Sequence, residues 1–182
     1  MGRMILLAGR PGVGKTTIIK QVVDMLGGEA GGFYTEEIRQ GGRRLGFKII
    51  TLEGEEGVLA LVDIKGGPRV SKYGVNLKDL EEIGVTALRR AIEERRYVVI
   101  DEIGKMELYS QEFRGAVGEA LNSEKIVLGT VLAGPHPWVD TLKAKPQVTV
   151  LTVTEGNREG MARRILDMLG RGEHFPLSST RG

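Results

Sequence analysis

The stretch Gly9-Arg10-Pro11-Gly12-Val13-Gly14-Lys15-Thr16 is where residue types and spacing first point to chemistry. It follows the pattern G-x-x-x-x-G-K-[S/T] in full. Glycines at these positions let backbone N–H groups turn inward and approach phosphate oxygens closely. Lys15 supplies a point charge suited to β- and γ-phosphates, and the Thr16 hydroxyl suits Mg²⁺. An apolar run, Met4–Ala8, precedes the loop, and apolar residues at helical spacing follow it. The N-terminus of that helix adds partial positive charge where an anion would sit. The eight residues and the adjoining Thr17 are therefore candidate nucleotide-binding residues. The implied ligand is a nucleoside triphosphate, with Mg²⁺ as cofactor.

Tyr97-Val98-Val99-Ile100-Asp101-Glu102 is the second constellation. Four residues suited to a buried strand lead into two carboxylates. In proteins with such a loop, an Asp at this strand end holds Mg²⁺, directly or through water. A Glu directly after it can orient or deprotonate an attacking water. Thr16 and Asp101 are thus the candidate metal ligands, and Lys15, Asp101 and Glu102 are candidate catalytic residues. Other positions carry less. Glu36-Glu37 can offer one carboxylate to a site, because neighbours on a strand face opposite ways. Arg43-Arg44 and Arg69 are possible transition-state cations. Asn157-Arg158 follow the last strand-like run, where the crevice of a parallel sheet can hold a base. An N-cap role competes for Asn157. Trp138, near His136 in a Pro-bounded segment, suits either core anchoring or stacking on a base.

These residues need a scaffold, and the patterning supplies one. Met4–Ala8 reads as a strand and Lys15–Leu26 as a helix ended by Gly27-Gly28. Gly32–Arg39, Leu45–Leu52 and Val58–Ile64 are rich in β-formers and separated by Gly-containing turns, the pattern of an antiparallel meander. Lys65–Val75 reads as a loop. Asn76 is a helix N-cap, with Asp79 at capping-box spacing, for a helix reaching about Arg96. Strand and helix then alternate: Tyr97–Asp101, Ser110–Leu121, Lys125–Leu132, Pro135–Lys143, Gln147–Val153 and Asn157–Leu169. Such alternation predicts a mostly parallel sheet with helices on both faces. The expectation is one α/β domain over 1–170, with the meander of 32–64 inserted on it. A polar tail over 171–182 is expected to be partly flexible, with Phe175-Pro176-Leu177 able to dock back.

Composition narrows the function. A chain of 182 residues allows one domain of ordinary size. Its 26 basic and 24 acidic residues leave a net charge of only +2, without the basic excess of a protein that coats nucleic acid. There is no cysteine, so disulfides, thiolate metal sites and a thiol nucleophile are excluded. That is compatible with a cytoplasmic setting. No apolar run approaches the ~20 residues that span a bilayer. The oligomeric state is left open, and a monomer is compatible with everything above.

Asp101-Glu102-Ile103-Gly104-Lys105-Met106-Glu107-Leu108 resembles the signature of the thermophilic and cancer-related nucleoside-triphosphatases. Gly32-Phe33-Tyr34-Thr35-Glu36-Glu37-Ile38-Arg39, Tyr73-Gly74-Val75-Asn76 and Thr154-Glu155-Gly156-Asn157-Arg158 are also similar to segments of that family. The resemblance runs from the first strand to the last helix and stops before the tail. It implies a small RecA-like P-loop fold and Mg²⁺-dependent hydrolysis of nucleoside triphosphates to diphosphate and phosphate, with broad base tolerance. It also implies that Lys105, close after the two carboxylates, faces the γ-phosphate. A P-loop kinase is the main alternative. Ala133–Lys145, where such kinases commonly carry lid arginines, has Lys143 and Lys145 but no arginine. A nucleotide-dependent switch is the second alternative. Guanine-specific switches carry N-K-x-D after a late strand, whereas Asn76-Leu77-Lys78-Asp79 breaks that spacing and lies before Asp101.

Overall fold

Met4–Leu7 and Tyr97–Ile100 are buried along their whole length. Only strands covered on both faces accept such runs. The computed structural model describes residues 2–171 and provides that cover. Its strands are β1 (Arg3–Ala8), β2 (Ala30–Gln40), β3 (Arg43–Thr51), β4 (Glu56–Leu61), β5 (Arg69–Val70), β6 (Tyr73–Val75), β7 (Tyr97–Ile103), β8 (Ile126–Val131) and β9 (Val148–Thr152). They form a single sheet in the order β5-β6-β4-β3-β2-β7-β8-β1-β9. Pairing from β2 through β7, β8 and β1 to β9 is parallel. From β2 through β3 and β4 to β6 and β5 it is antiparallel. The fold is α/β, as the patterning predicts, with the meander continuing the same sheet.

The helices are α1 (Lys15–Leu26), α2 (Leu77–Asp79), α3 (Thr86–Glu94), α4 (Gln111–Asn122), α5 (Pro137–Lys143) and α6 (Arg158–Met168). Alternation along the strands sorts them into two layers. Ile5, Leu7, Tyr97 and Val99 pack with α1 and α6. Met4, Leu6, Val98 and Ile100 face the opposite way, into the core built with α3, α4 and α5. Ser110 caps α4, its hydroxyl accepting from the Phe113 N–H at 3.0 Å. Asn76 caps α2 as expected, accepting from the Asp79 N–H at 3.1 Å. Asp79 does not reciprocate, because its carboxylate accepts from Val58 N–H at 2.8 Å and ties the helix start to β4.

Two local expectations change. Lys65–Val75 is not all loop, because β5 and β6 form there and β6 pairs with β4. Strands of two and three residues are too short for periodicity to reveal. The helix expected from Asn76 to Arg96 is interrupted by a π-helical stretch, Leu80–Val85, and ends at Glu94. The stretch sets Gly84 against the Phe33 ring, where an added Cβ would lie 3.5 Å from Cε1. From residue 172 on, the tail expectation lies outside the described residues. None of the described helices is long and apolar enough to cross a membrane.

Candidate active site

The loop between β1 and α1 takes its shape from its glycines. Gly12 and Gly14 have φ of 79° and 109°, a region that disfavours any residue with a Cβ. Gly14 is the N-cap of α1 and carries no side chain to compete for the first N–H groups. No side chain caps those groups, an arrangement that suits an anion at this end of the helix. Lys15 lies back over the loop, its Nζ donating to the Gly9 carbonyl at 2.7 Å. Arg10, Pro11, Gly12 and Thr17 are exposed, and Val13 is buried beneath the loop.

β8 lies between β1 and β7, so the loop and the end of β7 meet across it. The Thr16 hydroxyl donates to Asp101 Oδ2 at 2.7 Å, and the Thr130 hydroxyl of β8 donates to Oδ1 at 2.6 Å. Asp101 is buried. Burial pushes its carboxyl above the ordinary value, opposed by the two threonine hydroxyls and by Lys15 and Lys20. Glu102 stands 3.9 Å from Lys15 Nζ. Its carboxyl is also pushed up by burial, with Lys15 opposing and Asp101 reinforcing.

A cavity of about 540 Å³ opens in front of these groups, and Gly9, Lys15, Thr16, Asp101, Glu102 and Lys105 all line it. Three further walls come from residues that spacing left uncertain or overlooked. Glu36 and Glu37 both reach it from β2, Glu36 held by Lys20 at 2.7 Å and Glu37 by Arg44 at 2.9 Å. Both carboxyls titrate below the ordinary value because of those bonds. Arg44 also donates to the Tyr73 hydroxyl at 2.8 Å and lies 5.1 Å from the Phe47 ring centre. It is thus a fixed cation on the cavity wall. Glu107 is the overlooked residue. It is buried at the cavity wall, and its carboxyl is pushed well above its ordinary value by burial, then by Glu102. The signature octapeptide contains it, but no spacing rule assigns it a role.

Other candidates stand elsewhere. Asn157 and Arg158 are exposed and do not line the cavity. Asn157 sits at the N-cap position of α6 without capping it. Its side chain instead closes the turn after β9, accepting from Thr154 N–H at 2.8 Å and donating to the Thr152 carbonyl at 2.9 Å. Arg158 reaches the Val13 carbonyl at 3.5 Å. Arg69 donates to the Ile64 and Lys72 carbonyls, both at 2.7 Å. Trp138 packs against the core.

A glycine loop at a helix N-terminus, facing a buried Asp and a Glu at the end of a nearby parallel strand, defines a P-loop nucleotide-binding protein. A family model described as NTPase matches residues 4–166. The chain belongs to this nucleoside-triphosphatase family. It is 52% identical over 171 residues to the nucleoside-triphosphatase THEP1 of Thermotoga maritima, covering 93% of this chain and 98% of the relative. It is 42% identical over 174 residues to the human cancer-related nucleoside-triphosphatase, covering 87% and 92%. The crystal structure of THEP1 from Aquifex aeolicus superposes with a TM-score of 0.83 at 37% identity, covering 94% of this chain and 100% of that one.

Proposed function

We propose that the chain hydrolyses nucleoside triphosphates to diphosphate and phosphate in a Mg²⁺-dependent reaction with broad base tolerance. The observation that carries this reading is the meeting of Lys15, Thr16, Asp101 and Glu102 at one cavity. Lys15 and the loop N–H groups would neutralise β- and γ-phosphate charge. Glu102 would orient the attacking water and accept its proton, a role that its partial burial and nearness to Lys15 suit.

The donor set fits Mg²⁺. Thr16 Oγ1 and Asp101 Oδ2 are hard oxygens already 2.7 Å apart. Among the described residues no group of three or more His, Cys, Asp or Glu is arranged to hold a metal alone. That matches an ion bound through one or two protein oxygens plus phosphates and water. When bound, the ion would offset phosphate charge and polarise the transferred group. Such compensation is needed, since the cavity wall carries five acidic side chains (Glu36, Glu37, Asp101, Glu102, Glu107) against three cations (Lys15, Arg44, Lys105). Lys105, exposed at the cavity rim, is a candidate γ-phosphate contact. Base tolerance is supported by the exposed positions of Asn157 and Arg158 and by the capping role of Asn76, which removes the nearest approach to a guanine-reading motif.

One observation favours a kinase as the second reading. The cavity continues to an apolar wall of Phe47, Leu59 and Val70, which leaves room for an acceptor. Phosphate release measured with ATP, GTP, CTP and UTP, with and without Mg²⁺ and candidate acceptor alcohols, separates the two. Hydrolysis predicts free phosphate from all four with Mg²⁺ and none with chelator. Acceptor-dependent diphosphate formation with little free phosphate would replace it with the kinase.

A further inference from the structure

A second cavity, of about 390 Å³, lies beside the first and shares Lys105 and Val70 with it. Its chemistry is the opposite. Its side chains include Arg69, Lys105, Arg114, His136, Ser71 and Tyr109, and among the described residues no carboxylate. None of the three cations forms an ion pair among the described residues. The two guanidinium groups are nonetheless held in place. Arg114 Nε donates to the Leu108 carbonyl at 2.7 Å, and both terminal nitrogens of Arg69 are bound to carbonyls. Among the described residues nothing accepts from the terminal N–H groups of Arg114. His136 Nδ1 is buried and has no hydrogen-bond partner among the described residues. At the rim, Tyr109 is 48% exposed, the only large hydrophobic side chain so exposed among the described residues.

We propose that this basic cavity is a second binding site, for a phosphate dianion. Fixed guanidinium groups and an ammonium are the donors that phosphate recognition uses, and the His136 ring stands beside them. Among the described residues no carboxylate cancels their charge, unlike in the neighbouring cavity. The volume is in the range of small-molecule sites. Two sources share the chemistry: inorganic phosphate, or the phosphate of an organic monoester whose ring stacks on Tyr109. Through Lys105, a ligand here would adjoin the triphosphate end of the first cavity. The proposal does not depend on hydrolysis taking place.

Isothermal titration tests it. The chain is first saturated with Mg²⁺ and a non-hydrolysable ATP analogue, so that the P-loop is filled, and is then titrated with inorganic phosphate or with AMP. If the analogue does not bind, the hydrolytic reading suffers and the same titrations are run on the nucleotide-free chain. One phosphate per chain is expected, weakened at least tenfold by Arg114→Gln, which keeps an amide donor for the Leu108 carbonyl. Arg69→Gln is the second variant should Arg114→Gln fail to fold. Tighter binding of AMP that Tyr109→Ala returns to the level of phosphate identifies an organic monoester. Equal affinities untouched by Tyr109→Ala identify free phosphate. No binding beyond the analogue, or binding unchanged in the arginine variants, overturns the site.

Discussion

Lys15 favours the ionised form of Glu102, and burial opposes it. A carboxylate in that balance suits proton acceptance in a way that a surface carboxylate does not. Glu102→Gln keeps the shape and loses the base. It is expected to bind nucleotide as before and to lose roughly 10²–10⁴ in kcat, measured by steady-state phosphate release beside a binding titration. Arg44 carries a different kind of prediction. Its anchors to Glu37 and Tyr73 hold a cation on the cavity wall before any ligand arrives. If it meets transition-state charge, Arg44→Ala lowers kcat by about 10³ or more with KM little changed. An unchanged kcat removes Arg44 from the reaction. For Glu107 the sign follows from its raised titration. The fold prefers its neutral acid, so its stability contribution is complete below the ordinary value of 4.5 and is lost as pH rises toward the raised value. Glu107→Gln keeps an acceptor without the charge. Thermal melts should give it a Tm higher than the parent by a few degrees at pH 8 and no advantage at pH 4.

Strand β2 is the element that joins the two halves of the sheet, pairing with β7 on one side and β3 on the other. Gly32 sits in this junction opposite Val99, with φ of 124°. A Cβ there would fall onto the Val99 carbonyl oxygen, so the close approach of β2 to β7 depends on glycine. Glu36 and Glu37 follow on the same strand and carry the far wall of the cavity. Gly32→Ala is expected to destabilise the chain by about 2–4 kcal/mol, measured by denaturant unfolding. A loss below about 0.5 kcal/mol, the level of an indifferent surface change, would mean that the junction yields easily. The element also marks a limit of sequence reading. Gly32–Arg39 is legible as a strand by its β-formers, but its parallel partner lies far along the chain, where pattern gives no pairing information.

At the scale of the molecule, the sheet order sets β1, β8 and β7 side by side, so residues 16, 101 and 130 meet. A ligand held by three elements stabilises the fold that brings them together. Mg²⁺ and a non-hydrolysable triphosphate at about 100 times Kd should add about 2.7 kcal/mol, a rise in Tm on the order of 5–10 °C. Lys15→Ala should lose most of that rise while melting near the parent without ligand, read by scanning fluorimetry or calorimetry. A full rise in Lys15→Ala would separate the bound nucleotide from the loop.

The sequence by itself determined the glycine loop before α1, the Asp101-Glu102 strand end and the α/β class. Each is a local pattern, because the backbone of a tight glycine turn and the period of a buried strand are written in consecutive residues. The tertiary structure alone decided which distant groups complete the site. Thr130 reaches Asp101 only because β8 lies between β1 and β7. Arg44 becomes a wall of the cavity only because β3 and β6 bring Phe47 and Tyr73 to its sides. Glu107 acquires its raised titration only by burial beside Glu102. Pairing across the sheet and desolvation depend on what surrounds a residue, and no spacing along the chain encodes that.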